Sequence, residues 1–134
     1  MSNESNIATI KSIYEAFGRG DVQAILDFLS DDIDWATETT STAAPWYGPR
    51  HGKAAVRTFF EQYGSTMEND EFTPVSYAAN DSDVLTVVRM RARVRATGRP
   101  VAMDLHHWFA FRDGKIVHHR STEDTAQMEA AFKG

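Results

Sequence analysis

Between Met103 and Asp124, two strand-like runs flank Phe111-Arg112-Asp113-Gly114-Lys115, a turn signal that forces the runs to lie antiparallel, side by side. Read as a three-residue loop, the segment makes a type I turn over Arg112 and Asp113, with Gly114 in the left-handed position at a bulge. That register pairs Phe111 with Lys115. It sets Phe109 opposite Val117, His107 opposite His119, Leu105 opposite Ser121 and Met103 opposite Glu123 on one face, because side chains alternate with period two. Asp104, His106, Trp108, His118 and Arg120 fall on the other face. A two-residue Asp113-Gly114 loop is the competing register and sets Phe109 beside His118 and His107 beside Arg120. The three-residue reading is preferred because it pairs apolar Phe109 with Val117. It makes His107 and His119 neighbours across the ladder, with Cβ atoms roughly 5 Å apart. An inner face that mixes apolar and ionisable residues suggests a pocket.

The rest of the chain limits what that pocket can contain. A length of 134 residues fits one domain, 1–134, with residues 1–5 expected to be disordered. A net charge of -5 argues against general nucleic-acid or membrane-surface binding, which rests on clustered Lys and Arg. The polar N-terminus has no apolar run behind it, and nothing approaches the roughly 18 apolar residues of a membrane span, so a cytoplasmic location is expected. With no cysteine, disulfides, thiolate nucleophiles and Cys-based zinc sites are excluded. His, Asp, Glu, Tyr and Ser remain as the chemical inventory.

Ile7, Ile10, Ile13, Tyr14 and Phe17 recur at helical spacing and end at Gly18-Arg19-Gly20. Asp21 caps a second short helix carrying Val22, Ile25, Leu26 and Leu29. Ile33, Trp35 and Thr37 alternate as a short strand. Residues 39–51 hold Pro45, Gly48 and Pro49 and read as a long loop. Gly52 then opens a third helix that buries Ala55, Val56, Phe59, Phe60 and Tyr63. Strands follow at Glu71–Ala79, Val84–Ala96, Val101–Phe111 and Lys115–Thr122, with a last helix over Thr125–Phe132. The fold class is α+β, with a curved antiparallel sheet wrapped around N-terminal helices.

This order, together with Ile13-Tyr14-Glu15-Ala16-Phe17-Gly18-Arg19-Gly20-Asp21, Asp31-Asp32-Ile33, Tyr47-Gly48-Pro49-Arg50-His51-Gly52-Lys53, His107-Trp108-Phe109-Ala110-Phe111-Arg112-Asp113-Gly114-Lys115 and Glu123-Asp124-Thr125-Ala126, resembles the nuclear transport factor 2-like superfamily. Within it the chain is most similar to the SnoaL-like, ketosteroid isomerase-related branch. The resemblance implies a cone-shaped roll that hosts isomerases, polyketide cyclases, dehydratases, epoxide hydrolases and non-catalytic binders. In the ketosteroid isomerases a helix-one tyrosine and a sheet aspartic acid hold the enol oxygen while a second aspartate moves the proton. Alignment puts that tyrosine at Ile13, one residue from Tyr14, the base at Thr37, next to Glu38, and the sheet acid at His107. Steroid isomerase activity is therefore not expected, and acid/base chemistry on another carbonyl compound stays open. The SnoaL-like cyclases use an acidic residue and histidines to deprotonate a carbon beside a carbonyl, which His107, His119 and Glu123 could imitate if they converge.

His107, His119 and Glu123 are thus the candidate catalytic residues, and Tyr14, Trp35, Trp46, Tyr47, Met90, Phe109 and Ser121 the candidate ligand contacts. Each has a structural alternative. The histidines could be satisfied core residues, Glu123 a solvated carboxylate or helix cap, and Tyr14 and Trp35 core aromatics. Trp46, Tyr47 and His51 could form a lid or an ordinary packed loop edge. Neither metal nor cofactor is expected, since Glu123 lies roughly 13 Å along the strand from His119. Arg89, Arg91, Arg93 and Arg95 form an outer stripe beside Asp104, His106 and Trp108. That face reads as a solvated or salt-bridged surface suited to a homodimer, with partners drawn from a second sheet. The expected function is binding or acid/base conversion of a mostly apolar, carbonyl-containing metabolite.

Overall fold

A computed structural model describes residues 3–133 of the chain. The first helix, α1 (Asn3–Arg19), begins at Asn3, so residues 3–5, expected to be disordered, form its first turn, while residues 1 and 2 lie outside the described residues. Glu4 in that turn faces the positive end of the helix dipole, and Asn6 is already buried, which anchors the helix start. Next comes α2 (Val22–Leu26), where Asp21 Oδ1 accepts from the Ala24 amide at 3.1 Å, the cap read from the sequence.

The strand β1 (Leu29–Thr37) starts four residues earlier than expected: Leu29 opens the strand rather than ending the helix. The end of the expected loop is a short edge strand, β2 (Gly48–His51), paired antiparallel with β1. Its Pro49 is tolerated because an edge strand needs fewer amide donors. There follow α3 (Lys53–Thr66), β3 (Met67–Ala79), β4 (Asp83–Val94), β5 (Pro100–Arg112), β6 (Lys115–Thr122) and α4 (Thr125–Lys133). The six strands form one curved, open sheet in the order β2-β1-β6-β5-β4-β3. The fold is the expected α+β roll, except that the sheet is not wholly antiparallel, because β1 runs parallel to β6 and sets Trp35 beside His119.

The β5–β6 hairpin corrects the expected register. Arg112 pairs with Lys115 across a two-residue turn in which Asp113 and Gly114 both have positive φ, 53° and 78°, as a type I′ turn requires. Phe111 then pairs with Ile116 and Ala110 with His118, so Val117 is an extra residue, a bulge. The bulge lets Ile116 and His119, three positions apart, both point inward, at 0% and 3% exposure. Beyond it Phe109 faces His119 and His107 faces Ser121. The histidines share the inner face as expected, but sit diagonally rather than directly opposite, with ring centroids 5.3 Å apart.

Two apolar clusters fill the concave side. One joins Ile10, Ile13, Ile25, Ile33, Val56, Phe109 and Ile116, and the other joins Trp46, Met67, Val88, Met90, Leu105 and Met128. On the convex side the arginine stripe finds acids in its own sheet. Arg93 pairs with Glu68 and with Asp70 at 3.0 Å, Arg95 with Glu68 at 3.7 Å and Arg89 with Asp104 at 3.7 Å. Glu68 and Asp70 lie on the neighbouring β3 and Asp104 on β5, so cross-strand pairing supplies the counter-charges.

Candidate active site

Residues of all four helices and the sheet line a cavity of about 70 Å³. Ile13, Phe17, Ile25, Phe59, Phe60, Phe72, Met90, Leu105, Phe109 and Met128 make its walls greasy, and the polar residues that reach it fall into three groups.

The first group joins α1 to β4 and β5. Tyr14 projects from the inner stripe of α1, and its hydroxyl lies 2.6 Å from Thr86 Oγ1 and 2.7 Å from His107 Nδ1. Thr86 and His107 are direct partners in the β4–β5 ladder, which fixes the spacing of the two groups that Tyr14 bridges. A hydroxyl has one hydrogen, so the three groups have two consistent arrangements. When Tyr14 donates to Nδ1 and accepts from Thr86, the His107 proton sits on Nε2. When Nδ1–H donates to Tyr14 and Tyr14 donates to Thr86, Nε2 carries the lone pair. Burial, with His106 adjacent, pulls His107 down to about 4, so its ring is neutral at pH 7. Burial also pushes the Tyr14 hydroxyl above its ordinary range, which keeps its proton in place.

The second group is Trp35 and His119, neighbours across the parallel β1–β6 pair with ring centroids 4.0 Å apart. Burial, then the proximity of His107 and Arg120, drives His119 well below its usual value, against the opposing pull of a hydrogen bond with the Trp108 backbone, so it too is neutral. Among the described residues, neither Trp35 Nε1 nor His119 Nδ1 has a hydrogen-bond partner.

The third group is at the other end of the inner track. Glu123 follows β6, and its Oε2 accepts from the Tyr47 hydroxyl at 2.6 Å. Burial raises the carboxyl, the Tyr47 bond opposes that rise, and Asp124 adds to it. Glu123 is therefore neither a freely solvated carboxylate nor the helix cap. The cap of α4 is Asp124, whose Oδ1 accepts from the Gln127 amide at 3.1 Å.

The structure brings His107, His119, Glu123, Tyr14, Trp35, Trp46, Met90, Phe109 and Ser121 to one cavity, with Tyr47 supporting it through Glu123. Trp46 is 2% exposed and packs edge-on against Tyr63, ring centroids 4.9 Å apart. His51 is exposed on β2 opposite Asp34, away from the cavity wall. Thr37 lines the cavity, whereas Glu38 turns outward to Arg120 at 3.1 Å. Thr86 was missed by the sequence reading. Its only signal was position, as a polar residue at an inward site of the alternating β4 pattern. Among the described residues no group of three or more His, Asp or Glu side chains is placed to hold a metal ion, and no helix is long and apolar enough to cross a membrane.

Residues 10–119 match the SnoaL-like domain profile. Among solved structures, a nuclear transport factor 2-like protein from Burkholderia xenovorans is similar with a TM-score of 0.88 and 26% identity, over 98% of this chain and 98% of its own. A candidate isomerase from Rhodopseudomonas palustris is similar with a TM-score of 0.77 and 22% identity, over 96% and 95% of the two chains. A candidate polyketide cyclase from Xanthomonas campestris pv. campestris follows with 0.80 and 20%, over 97% and 98%. The last two identities carry the fold alone. No curated protein is a significant match in sequence.

Proposed function

Because the chain belongs to the SnoaL-like domain family, we propose that it is an enzyme that moves a proton beside the carbonyl of a small, mostly apolar compound, in an isomerase, cyclase or dehydratase type of reaction. The observation that carries this reading is the Tyr14–His107 hydrogen bond at 2.7 Å inside an aromatic cavity. A neutral imidazole whose Nδ1 accepts from a tyrosine presents Nε2–H as a fixed donor. Such a donor stabilises charge growing on a carbonyl oxygen without adding a buried cation. Glu123 is the group suited to take the proton. Its carboxyl is raised toward neutrality, and it lies two residues beyond Ser121, the ladder partner of His107, a step of roughly 7 Å along a strand.

In this scheme the C–H electron pair of the α-carbon becomes the new C=C bond, the C=O π pair moves to oxygen under the His107 donor, and the proton passes to Glu123. In a compound with a C=C between its β- and γ-carbons, return of that proton to the γ-carbon, as the β,γ pair shifts to form the α,β double bond and the oxygen pair re-forms the C=O, completes an isomerisation. The cavity of about 70 Å³ is below the usual range for drug-sized ligands, so the fitting compound is small, or the side chains of Phe59, Phe60 and Met90 shift on binding. Solved structures that share this fold include a candidate isomerase and a candidate polyketide cyclase, so the scaffold is compatible with this reading.

Butan-2-one labelled with ¹³C at its carbonyl tests the donor role. Bound to the wild type its carbonyl resonance should move downfield, and His107→Ala should abolish the shift. Binding with an unshifted carbonyl, or a shift that survives His107→Ala, would contradict the assignment.

The same proposal includes a homodimer through the convex sheet face. Leu85 (50% exposed) and Trp108 (41% exposed) stand there beside Val87, His106 and Arg120, around a groove of about 460 Å³. Exposed apolar side chains rimmed by charged ones favour burial against a second copy.

A further inference from the structure

The rings of Trp35 and His119 lie against each other in the cavity wall, centroids 4.0 Å apart, and among the described residues the buried indole N–H of the one and the buried Nδ1 of the other have no hydrogen-bond partner. Burying such a group unpaired is costly, and two on touching rings are uncommon unless something polar occupies the space. They belong to β1 and β6, whereas Tyr14 and Thr86 approach His107 from α1 and β4. The wall therefore carries two separate polar positions, and the acid/base scheme uses only the His107 one.

We propose that Trp35 and His119 form a second anchor that selects ligands carrying a hydroxyl close to the carbonyl held by His107. A hydroxyl fits this pair whichever ring nitrogen of His119 bears the proton. Its oxygen accepts from the Trp35 N–H, and toward Nδ1 it either donates its own hydrogen or accepts one. A carbonyl oxygen would satisfy only the protonated form of Nδ1, and an ammonium could not accept from the indole. A carboxylate is disfavoured because burial keeps His119 neutral and, among the described residues, no Lys or Arg lines the cavity to balance it. The spacing limits the reach, since the His107 and His119 ring centroids are 5.3 Å apart. Two ligand oxygens meeting those rings are thus separated by a short carbon unit, as in a β-hydroxy ketone. The anchor rests on the reading that His107 holds the carbonyl, and the test separates the two.

Butan-2-one and 4-hydroxybutan-2-one differ by the one hydroxyl. Titrated into the wild-type protein, the hydroxy ketone should bind about five- to tenfold tighter, the gain of one buried hydrogen bond. In Trp35→Phe the ratio of the two affinities should fall to about one. An equal affinity in the wild type, or a preference that survives Trp35→Phe, overturns the anchor. Should that variant fail to fold, the Trp35 indole proton resonance of the wild type decides: it should move downfield with 4-hydroxybutan-2-one and not with butan-2-one, and an unmoved resonance overturns the anchor. If butan-2-one binds and its carbonyl signal depends on His107 while the hydroxyl adds nothing, the anchor alone fails. If neither ketone binds, the carbonyl assignment falls and the anchor with it.

Discussion

The Tyr14 hydroxyl lies 2.7 Å from Nδ1 of His107, joining the first helix to the centre of the sheet through a single bridging group that also reaches Thr86. This bond fixes which way the His107 ring faces and links its tautomer to that of the hydroxyl chain.

Removing the bridge should therefore change the tautomer before it changes the fold. Tyr14→Phe keeps the ring and its contacts with Phe72 and Phe109 but strands His107 Nδ1 and Thr86 Oγ1, at a cost of about 1–3 kcal/mol. Ring ¹⁵N shifts of His107 should move toward a mixed tautomer population, and the urea midpoint should fall. An unchanged ¹⁵N pattern would show that Tyr14 does not set the ring.

His107→Ala separates function from folding less cleanly than a residue facing open space would, because a hydrogen bond is lost with the ring. Tyr14 keeps Thr86 as a partner, so the stability loss should stay near about 1–2 kcal/mol. The rate on a ketone substrate should fall roughly 100-fold for a missing donor. A variant that is strongly destabilised yet fully active once folded would make His107 a core residue.

The two inner histidines also set a pH dependence of stability. His107 is held at about 4 and His119 well below its ordinary value, against 6.5 for a free ring, so between those values the unfolded chain binds more protons. Stability from this source is complete above pH 6.5 and is lost as pH falls toward 4. Glu123 works the other way: its carboxyl is raised, so it contributes most below its unfolded value of 4.5 and loses that contribution as pH rises through its folded value. Urea midpoints should decline from pH 7 to pH 4.5, and more steeply in Glu123→Gln. A flat profile would mean that the rings titrate normally.

The hairpin shows how far the sequence could be read. Alternation placed His107, Phe109 and Ser121 on the inner face, and the Asp113-Gly114 pair announced a turn. Taken pair by pair, the sequence favours Phe109 against Val117, because both are apolar. The bulge at Val117 reverses that choice by satisfying Ile116 and His119 together, a gain shared by the whole strand rather than by any one pair. The parallel β1–β6 contact had no local signal, because its partners lie more than eighty residues apart. For the same reason the Tyr14–His107 bond was invisible, as was the choice between Glu123 and Asp124 for the α4 cap: two adjacent acids look alike until Tyr47 claims one. The arginine stripe and Asp104 beside it on β5 were legible from alternation, whereas the pairing with Asp70 on β3 had no local signal.

On the convex face, Trp108→Glu should weaken self-association, since it puts a charge where an exposed indole meets the partner copy in the proposed dimer. Sedimentation at tens of micromolar should give a dimer for the wild type and a monomer for the variant. A monomeric wild type, or a dimer indifferent to the substitution, would remove this interface.

Solvent-deuterium exchange at the α-carbons of butan-2-one tests the central claim most directly, because it reads proton abstraction without knowledge of the natural substrate. Followed by proton NMR in D₂O, the wild type should exchange these positions faster than buffer, with a rate that rises as pH climbs through the raised value of the Glu123 carboxyl. Glu123→Gln should fall roughly 100-fold, with the pH dependence gone. Exchange no faster than buffer in the wild type, or undiminished in Glu123→Gln, would contradict the account.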